Sequence, residues 1–324
     1  MTTQLRRLLS LVLGAALASL APQALHATNP IITNVYTADP AALVYKDTVY
    51  LYTGNDIAPD RVESYRMSRW LCYSSTNMVD WTPHGSPLAV TNFAWAKADA
   101  WAGQVIERAG KFYWYAPVEH ATIHGKAIGV AVADRPTGPF VDARGSALIT
   151  NDQTTATKIS WDDIDPTVWI DDDGQAYLFW GNTKCYYAKL QENMTELAGP
   201  IQVVDVPHYE EAPWIHKYHG LFYLSYASGF PEKTAYATSP NLNGPWTYRG
   251  LVGELAGNSN TAHQSIIEFK GQWYFIYHNG GLQRGGSSFH RSVCVDYLYY
   301  NPDGTMQRVI QTTEGVSVPP HHPL

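Results

Sequence analysis

The sequence predicts an all-β fold, a five-bladed β-propeller with four antiparallel strands in each blade. Three observations carry that prediction. One pattern, an apolar strand, a tight turn and a strand rich in aromatics, recurs five times, with turn residues Asp47, Gly110, Gly174, Gly220 and Gly271 spaced 63, 64, 46 and 51 residues apart. A second, weaker hairpin follows each copy, which makes four strands per repeat. No stretch holds a 3.6-residue apolar period long enough for a crossover helix, so a doubly wound parallel sheet is excluded.

The repeats read as follows. Blade one opens with "DPAALVYKDTVYLYTGND" from Asp39 and continues with "LCYSSTNMVDWTPHG". Blade two is "AWAGQVIERAGKFYWYAPV" from Ala100 and "IGVAVADRPTGPFVDARG"; blade three is "DPTVWIDDDGQAYLFWGN" from Asp165 and "YYAKLQENMTELAGPIQV". Blade four is "EAPWIHKYHGLFYLSYAS" from Glu211 and "TAYATSPNLNGPWTYRG"; blade five is "AHQSIIEFKGQWYFIYHN" from Ala262 and "RSVCVDYLYYNPDGTMQRV". Period-two alternation broken by Gly or Asp turns is the signature of antiparallel hairpins. The "IDDDG" stretch around Asp171–Asp173 reads as a solvated turn.

The first 27 residues stand apart from this pattern. Arg6 and Arg7 precede an apolar run from Leu8 to Ala21, and "PQALHA" ends on a small residue at Ala27. That run is too short to span a bilayer and matches a secretory signal, so residues 1–27 are expected to be a signal peptide and 28–324 one catalytic domain acting in the periplasm or outside the cell. The whole chain carries 22 Lys and Arg against 29 Asp and Glu; without the two signal arginines the balance is 20 − 29 = −9. So acidic a chain is a poor partner for nucleic acid or for a membrane surface. Three cysteines, Cys72, Cys185 and Cys294, allow at most one disulfide and read as small buried apolar groups.

In a propeller the first strand of each blade lines the central channel, and the residue that opens it sits at one rim. Those residues are Asp39, Ala100 (after Asp99), Asp165, Glu211 and Ala262, so three blades direct a carboxylate to one end of one channel. Glu210, adjacent to Glu211, is expected by strand alternation to point elsewhere. Convergent acids repel and resist burial in the ionised form, which points to use rather than to structure. Calcium is better served by Asp and Asn clustered in one loop. Glycoside hydrolysis, by contrast, requires two carboxyl groups in different protonation states, one to give a proton to the leaving oxygen and one to act on water or sugar.

The motifs "YTADPAALVYKDTVYLYTG", "DIDPTVWIDDDGQAYLFWG" and "EEAPWIHKYHGLFYLSYA", in this order and register, resemble those of glycoside hydrolase family 43, the five-bladed arabinofuranosidases, arabinanases and β-xylosidases. The resemblance covers all five blades. It implies Asp39 as general base, Asp165 as the acid that tunes and orients the proton donor, and Glu211 as the donor. It also implies inversion of configuration, with base and donor roughly 6.5–9.5 Å apart. No cofactor is implied as required, although many members hold a calcium or sodium ion through waters near the axis. His263 stands at the matching position, where a core histidine is the alternative.

Further candidates are expected to contact substrate. Arg291 in "FHRSVCVDYL" resembles the family arginine that reaches toward the sugar or the acids, and a guanidinium there would keep Asp39 ionised. Asp56 ends an inner strand of blade one. Trp101 and Trp161, each near the opening of a channel strand, offer faces on which a sugar can stack, or else pack between blades. The pairs His120/His124 and His216/His219 read as loop and turn residues. The long loop "GNDIAPDRVESYRMSRW" is placed to wall one side of the site and make it a pocket.

The expected function is therefore an inverting, exo-acting glycosidase, an α-L-arabinofuranosidase on arabinan or arabinoxylan side chains. An exo-α-1,5-arabinanase and a β-xylosidase share its three acids. A propeller that binds carbohydrate without cleaving it is the rival of a different class, and a raised-pKa proton donor would be of no use to it. A sialidase would need Ser-x-Asp-x-Gly-x-x-Trp turns, and "SPNLNGPW" has Asn where the Asp belongs. Nucleotide-binding motifs are absent.

Overall fold

The computed structural model describes residues 25–318. Five antiparallel sheets follow one another along the chain, and apart from a single 3₁₀ turn at Val90–Asn92 the described residues form no helix. Blade one contains Thr37–Tyr45, Thr48–Asn55, Arg69–Ser75 and Thr82–Pro83. Gln104–Arg108, Lys111–His120, Lys126–Ala133 and Val141–Asp142 make blade two. Blade three is Thr167–Ile170, Ala176–Trp180, Cys185–Lys189 and Gln202–Val204; blade four is Glu211–Tyr218, Leu221–Ser228, Lys233–Ser239 and Thr247–Gly253. Blade five begins with Gln264–Phe269, Gln272–Asn279 and Ser292–Leu298. The five-bladed architecture is the one that the repeats predict.

The inner hairpins explain the repeated turn signal. Arg108 pairs with Lys111, Tyr218 with Leu221 and Phe269 with Gln272, leaving two residues to reverse the chain each time. Those pairs, Ala109-Gly110, His219-Gly220 and Lys270-Gly271, have positive φ at both positions. This backbone twists with the strands that it joins, and glycine at the second position adopts it without strain.

Between blades lies the core. Successive residues on one strand face opposite neighbours, so Trp114 packs with Tyr52 and Trp70 of blade one, while Tyr115 packs with Leu178 and Trp180 of blade three. Tyr186 and Tyr187 divide in the same way between blades two and four. Both faces of each inner sheet are thus buried, which is why apolar residues stand at successive positions of strands such as Lys111–His120 and Gln272–Asn279. All three cysteines are free and buried, in line with their expected role.

The ring closes through the amino-terminal segment. Ile31 N–H donates to Val293 O at 2.9 Å, and Asn29 makes paired bonds with the main chain of Val295, donating at 3.1 Å and accepting at 2.9 Å. Residues 29–31 therefore occupy the outer edge of blade five, while the stretch after Leu298 turns back to reach blade four, where Val309 N–H bonds Val252 O. The expected signal segment lies outside the described residues except at its end, where Leu25 and His26 pair with Val318 and Ser317.

Candidate active site

Four blades turn sharply where their first strands begin. Asp39, Asp99, Asp165 and Ala212 all have positive φ, between 52° and 64°, and the ladders of blades one and four skip register at these points. Aspartate tolerates the left-handed region better than most residues, whereas alanine pays a steric cost that the surrounding packing must hold. The break re-aims the side chains. It also corrects the expectation for Glu210: because the chain is not extended through Ala212, Glu210 and Glu211 both border the same cavity.

That cavity has a volume of about 550 Å³, and its wall includes Asp39, Asp165 and Glu211. Three residues 46 or more positions apart in sequence thus meet, as the resemblance implies. Trp101, Trp161, His263 and Arg291 also line it, and Tyr65 and Met67 bring in the long loop of blade one. Asp56 does not. It is buried at the back of Arg291, its Oδ2 accepting from Arg291 Nε at 3.0 Å and its Oδ1 from Nη2 at 2.9 Å. Its contact is with the arginine rather than with the cavity, because the fork of the guanidinium covers both of its oxygens.

Arg291 also donates to Asp39, Nη1 to Oδ1 at 2.8 Å, and to Thr261 Oγ1 at 3.4 Å, and stacks over the Tyr65 ring at 5.0 Å. His278 approaches the same oxygen at 3.1 Å. Its Nε2 lies 2.8 Å from Thr261 O, and its Nδ1 is also 3.3 Å from the Asp39 main-chain nitrogen. Burial alone would push the Asp39 carboxyl up; the Arg291 guanidinium and the His278 ring outweigh it and hold the group well below the usual carboxylate range. Among the described residues one guanidinium thus serves two buried carboxylates and makes no ion pair with Asp165 or Glu211.

There the balance reverses. Burial, reinforced by the charges of Asp39 and Glu210, pushes Glu211 up to about 7, against the hydrogen bond that Asn182 Nδ2 donates to its Oε2 at 2.6 Å. Asp165 is raised as well, first by burial and then by the nearness of Glu211, and its Oδ2 accepts the Ala212 N–H at 3.0 Å. Asp165 is thereby tied to the main chain next to Glu211. An ionised carboxylate and a protonated one facing a single cavity can take a proton from water and give one to a leaving oxygen.

The aromatic candidates differ from each other. Trp161 is 48% exposed on the cavity wall, a free face. Trp101 has one face covered by Lys126 Nζ, 3.7 Å from the ring centroid, and Lys126 in turn is paired with Asp99. His263 sits with Nδ1 3.9 Å from Asp165 Oδ2, and burial lowers its pKa to about 4, so it is a neutral ring. No group of three or more His, Cys, Asp or Glu side chains among the described residues is arranged to hold a metal. The donor set around His263 does not fit a cation held by protein ligands. His216, read as a turn residue, lies buried in a blade-four strand with Nε2 2.7 Å from the Tyr300 hydroxyl.

Sequence reasoning missed His278, Asn182, Tyr65 and Glu232. His278 is one of several polar residues in an inner strand, and nothing in "FIYHN" distinguishes it. Asn182 follows the inner strand that ends in "FW", where Asn55 stands in "YTGN" of blade one; that parallel was the one available signal.

Comparison with known proteins agrees with this geometry. The sequence profile of glycosyl hydrolases family 43 matches residues 27–306. The chain is 31% identical to an arabinoxylan arabinofuranohydrolase of Bacillus subtilis, an alignment that covers 90% of this chain and 65% of the relative, just under two thirds of its length. It is 30% identical to a xylosidase/arabinosidase of Humicola insolens, over 85% of this chain and 97% of that one. Among solved structures, an α-L-arabinofuranosidase from Clostridium thermocellum superposes with a TM-score of 0.74 at 34% identity, over 88% of this chain and 97% of the other. A β-xylosidase/α-arabinofuranosidase from a compost metagenome, solved with xylotriose in a calcium-free form, gives 0.78 at 29% identity, over 87% and 97%.

Proposed function

The chain belongs to glycosyl hydrolases family 43, and on that premise we propose that it is an inverting, exo-acting α-L-arabinofuranosidase that removes arabinose from arabinan or arabinoxylan side chains. One observation carries the reading: a single cavity is bordered by Asp39, which is paired with Arg291 and held below the usual carboxylate range, and by Glu211, which burial pushes up to about 7. In this mechanism Glu211 gives its proton to the glycosidic oxygen as the bond to the sugar breaks. Asp39 takes a proton from the water that attacks the anomeric carbon from the other face. Asp165, bonded to the Ala212 N–H, fixes the backbone beside Glu211 and favours its protonated form by proximity. Arg291 and His278 keep Asp39 ionised and hold its carboxylate in place.

A second reading, β-xylosidase, uses the same acids and is supported by the xylotriose bound to one structural relative. Sugar release from branched arabinan, linear arabinan and xylo-oligosaccharides separates the two. Arabinose from the branched polymer is the expected product; arabinose from the linear chain as well would make the enzyme an exo-arabinanase, and xylose alone a β-xylosidase. No sugar from any of them would leave a carbohydrate-binding propeller and overturn the proposal.

A further inference from the structure

Glu232 is a fourth acid at this site that neither the sequence pattern nor the repeat marks out. It follows the exposed Phe230 and Pro231 in the connection between the second and third strands of blade four, yet it is only 2% exposed and lies on the cavity wall. Its place is fixed twice. Its own N–H donates to Asn260 O at 2.9 Å, and its Oε2 accepts the Ala262 N–H at 2.7 Å. With one oxygen committed to the main chain of blade five, its carboxyl shares the cavity wall with Glu211, close enough for a hydrogen bond to act on the Glu211 carboxyl.

Two carboxyl groups in such contact need a proton between them, since two carboxylates would only repel. The groups facing Glu232 are acidic: Glu211, Asp165 and Glu210. Among the described residues Glu232 has no ion pair, and Arg291, the arginine on the cavity wall, is committed to Asp39 and Asp56. Burial first, and then the nearness of Glu211, raise Glu232 well above the ordinary glutamate range.

We propose that Glu232 is a positioning residue for the proton donor: as a neutral carboxylic acid it donates a hydrogen bond to Glu211 and stabilises the carboxylate that Glu211 becomes when its proton leaves. This rests on the reading of Glu211 as the donor. In the step itself the Glu211 proton moves to the glycosidic oxygen, the bonding pair of the broken carbon–oxygen bond stays on that oxygen, and a proton of the attacking water passes to Asp39. Glu232 keeps its own proton throughout. The bond from Glu232 strengthens as charge develops on Glu211, so it acts on the transition state more than on the ground state. The substrate feature that it serves is a leaving group of high pKa, such as a sugar alcohol, which depends fully on protonation.

The test compares a methyl with a dinitrophenyl glycoside of arabinose, or of xylose if xylose is the sugar released. Dinitrophenolate departs without a proton. Loss of a hydrogen bond to a charged group corresponds to about 10- to 100-fold, so Glu232→Ala is expected to lose that much in kcat/KM on the methyl glycoside. On the dinitrophenyl glycoside the loss should stay below about threefold, well under what one such hydrogen bond is worth. Glu232→Gln, whose amide can still donate to Glu211 and accept from Ala262, is expected to recover most of the methyl-glycoside rate. The ratio of the two rates within one variant does not depend on how much of it is folded. Equal losses on both glycosides, no loss on the methyl glycoside, or a Gln variant as poor as the Ala variant would each overturn the inference. Glu211→Ala is the control: if it too lacks leaving-group dependence, the donor assignment itself fails, whereas dependence in Glu211→Ala alone removes only the role of Glu232.

Discussion

Arg291→Met is expected to destabilise the protein by about 3–5 kcal/mol near neutral pH, the range for breaking a buried ion pair by removing one partner. The residue is 3% exposed and makes four hydrogen bonds to two carboxylates, three from the guanidinium and one from its main-chain N–H to Asp56 Oδ2 at 2.8 Å. Methionine fills similar space but leaves Asp39 and Asp56 charged, buried and without a cation. The pH dependence has a definite sign. In the native protein Asp39 is depressed below the ordinary aspartate value of 3.8, so its stabilising contribution is present above that value and is lost as pH falls through the lower folded one. Without Arg291, burial raises the folded value instead, and folding is penalised at neutral pH but not where both states bind the proton. Urea unfolding should therefore show a gap between variant and native protein that is widest near pH 7 and narrows below about pH 4, the ordinary aspartate range. A gap that is constant with pH would mean that packing, not charge, is what Arg291 supplies. Arg291→Lys is expected to recover only part of the loss, since one ammonium cannot span two carboxylates as the fork does.

Asp39→Asn carries the second large effect. The amide keeps the size of the side chain, and Asn tolerates the positive φ of this position, so the backbone turn should survive. What is lost is the ability to take a proton from water, worth about 10²- to 10⁴-fold in kcat, with KM changed far less. A second readout separates chemistry from folding. In the native enzyme kcat/KM is expected to fall as pH rises through about 7, when Glu211 loses its proton. The charge of Asp39 is one cause of that elevated value, so in Asp39→Asn the residual activity should fall at lower pH than in the native enzyme. Undiminished turnover in Asp39→Asn would rule out its role as base.

The fold was legible because propeller repeats write themselves into the sequence twice, as paired strands and as turn residues at their tips. Ala109-Gly110, His219-Gly220 and Lys270-Gly271 are local features whose backbone demands can be read without tertiary information. Asp39, Asp165 and Glu211 were legible for a related reason: each stands at the same point of a repeat, and the symmetry of the ring converts equivalent positions into neighbours. The illegible parts are those that break the repeat. Glu210 was misplaced because strict alternation presumes an extended chain, and the left-handed Ala212 interrupts it. The closure of blade five joins Asn29 to Val295 across 266 positions, beyond the reach of any local pattern. Glu232 and His278 reach the acids from a connecting turn and from the end of an inner strand, where their residue types are unremarkable. Asp56 was placed correctly next to the site but assigned to the sugar, since a sequence does not reveal that an arginine from the last blade lies between them.

The central claim is that Asp39 activates water while Glu211 protonates the leaving oxygen, so that water, and not a carboxylate, attacks the anomeric carbon. Proton NMR of a hydrolysis followed from its first minutes tests it most directly, by reading the configuration of the sugar before it mutarotates. The first-formed sugar is expected to have the anomeric configuration opposite to that of the substrate. A first product with the substrate's own configuration would require a covalent sugar–enzyme intermediate, and would contradict the roles assigned to both residues.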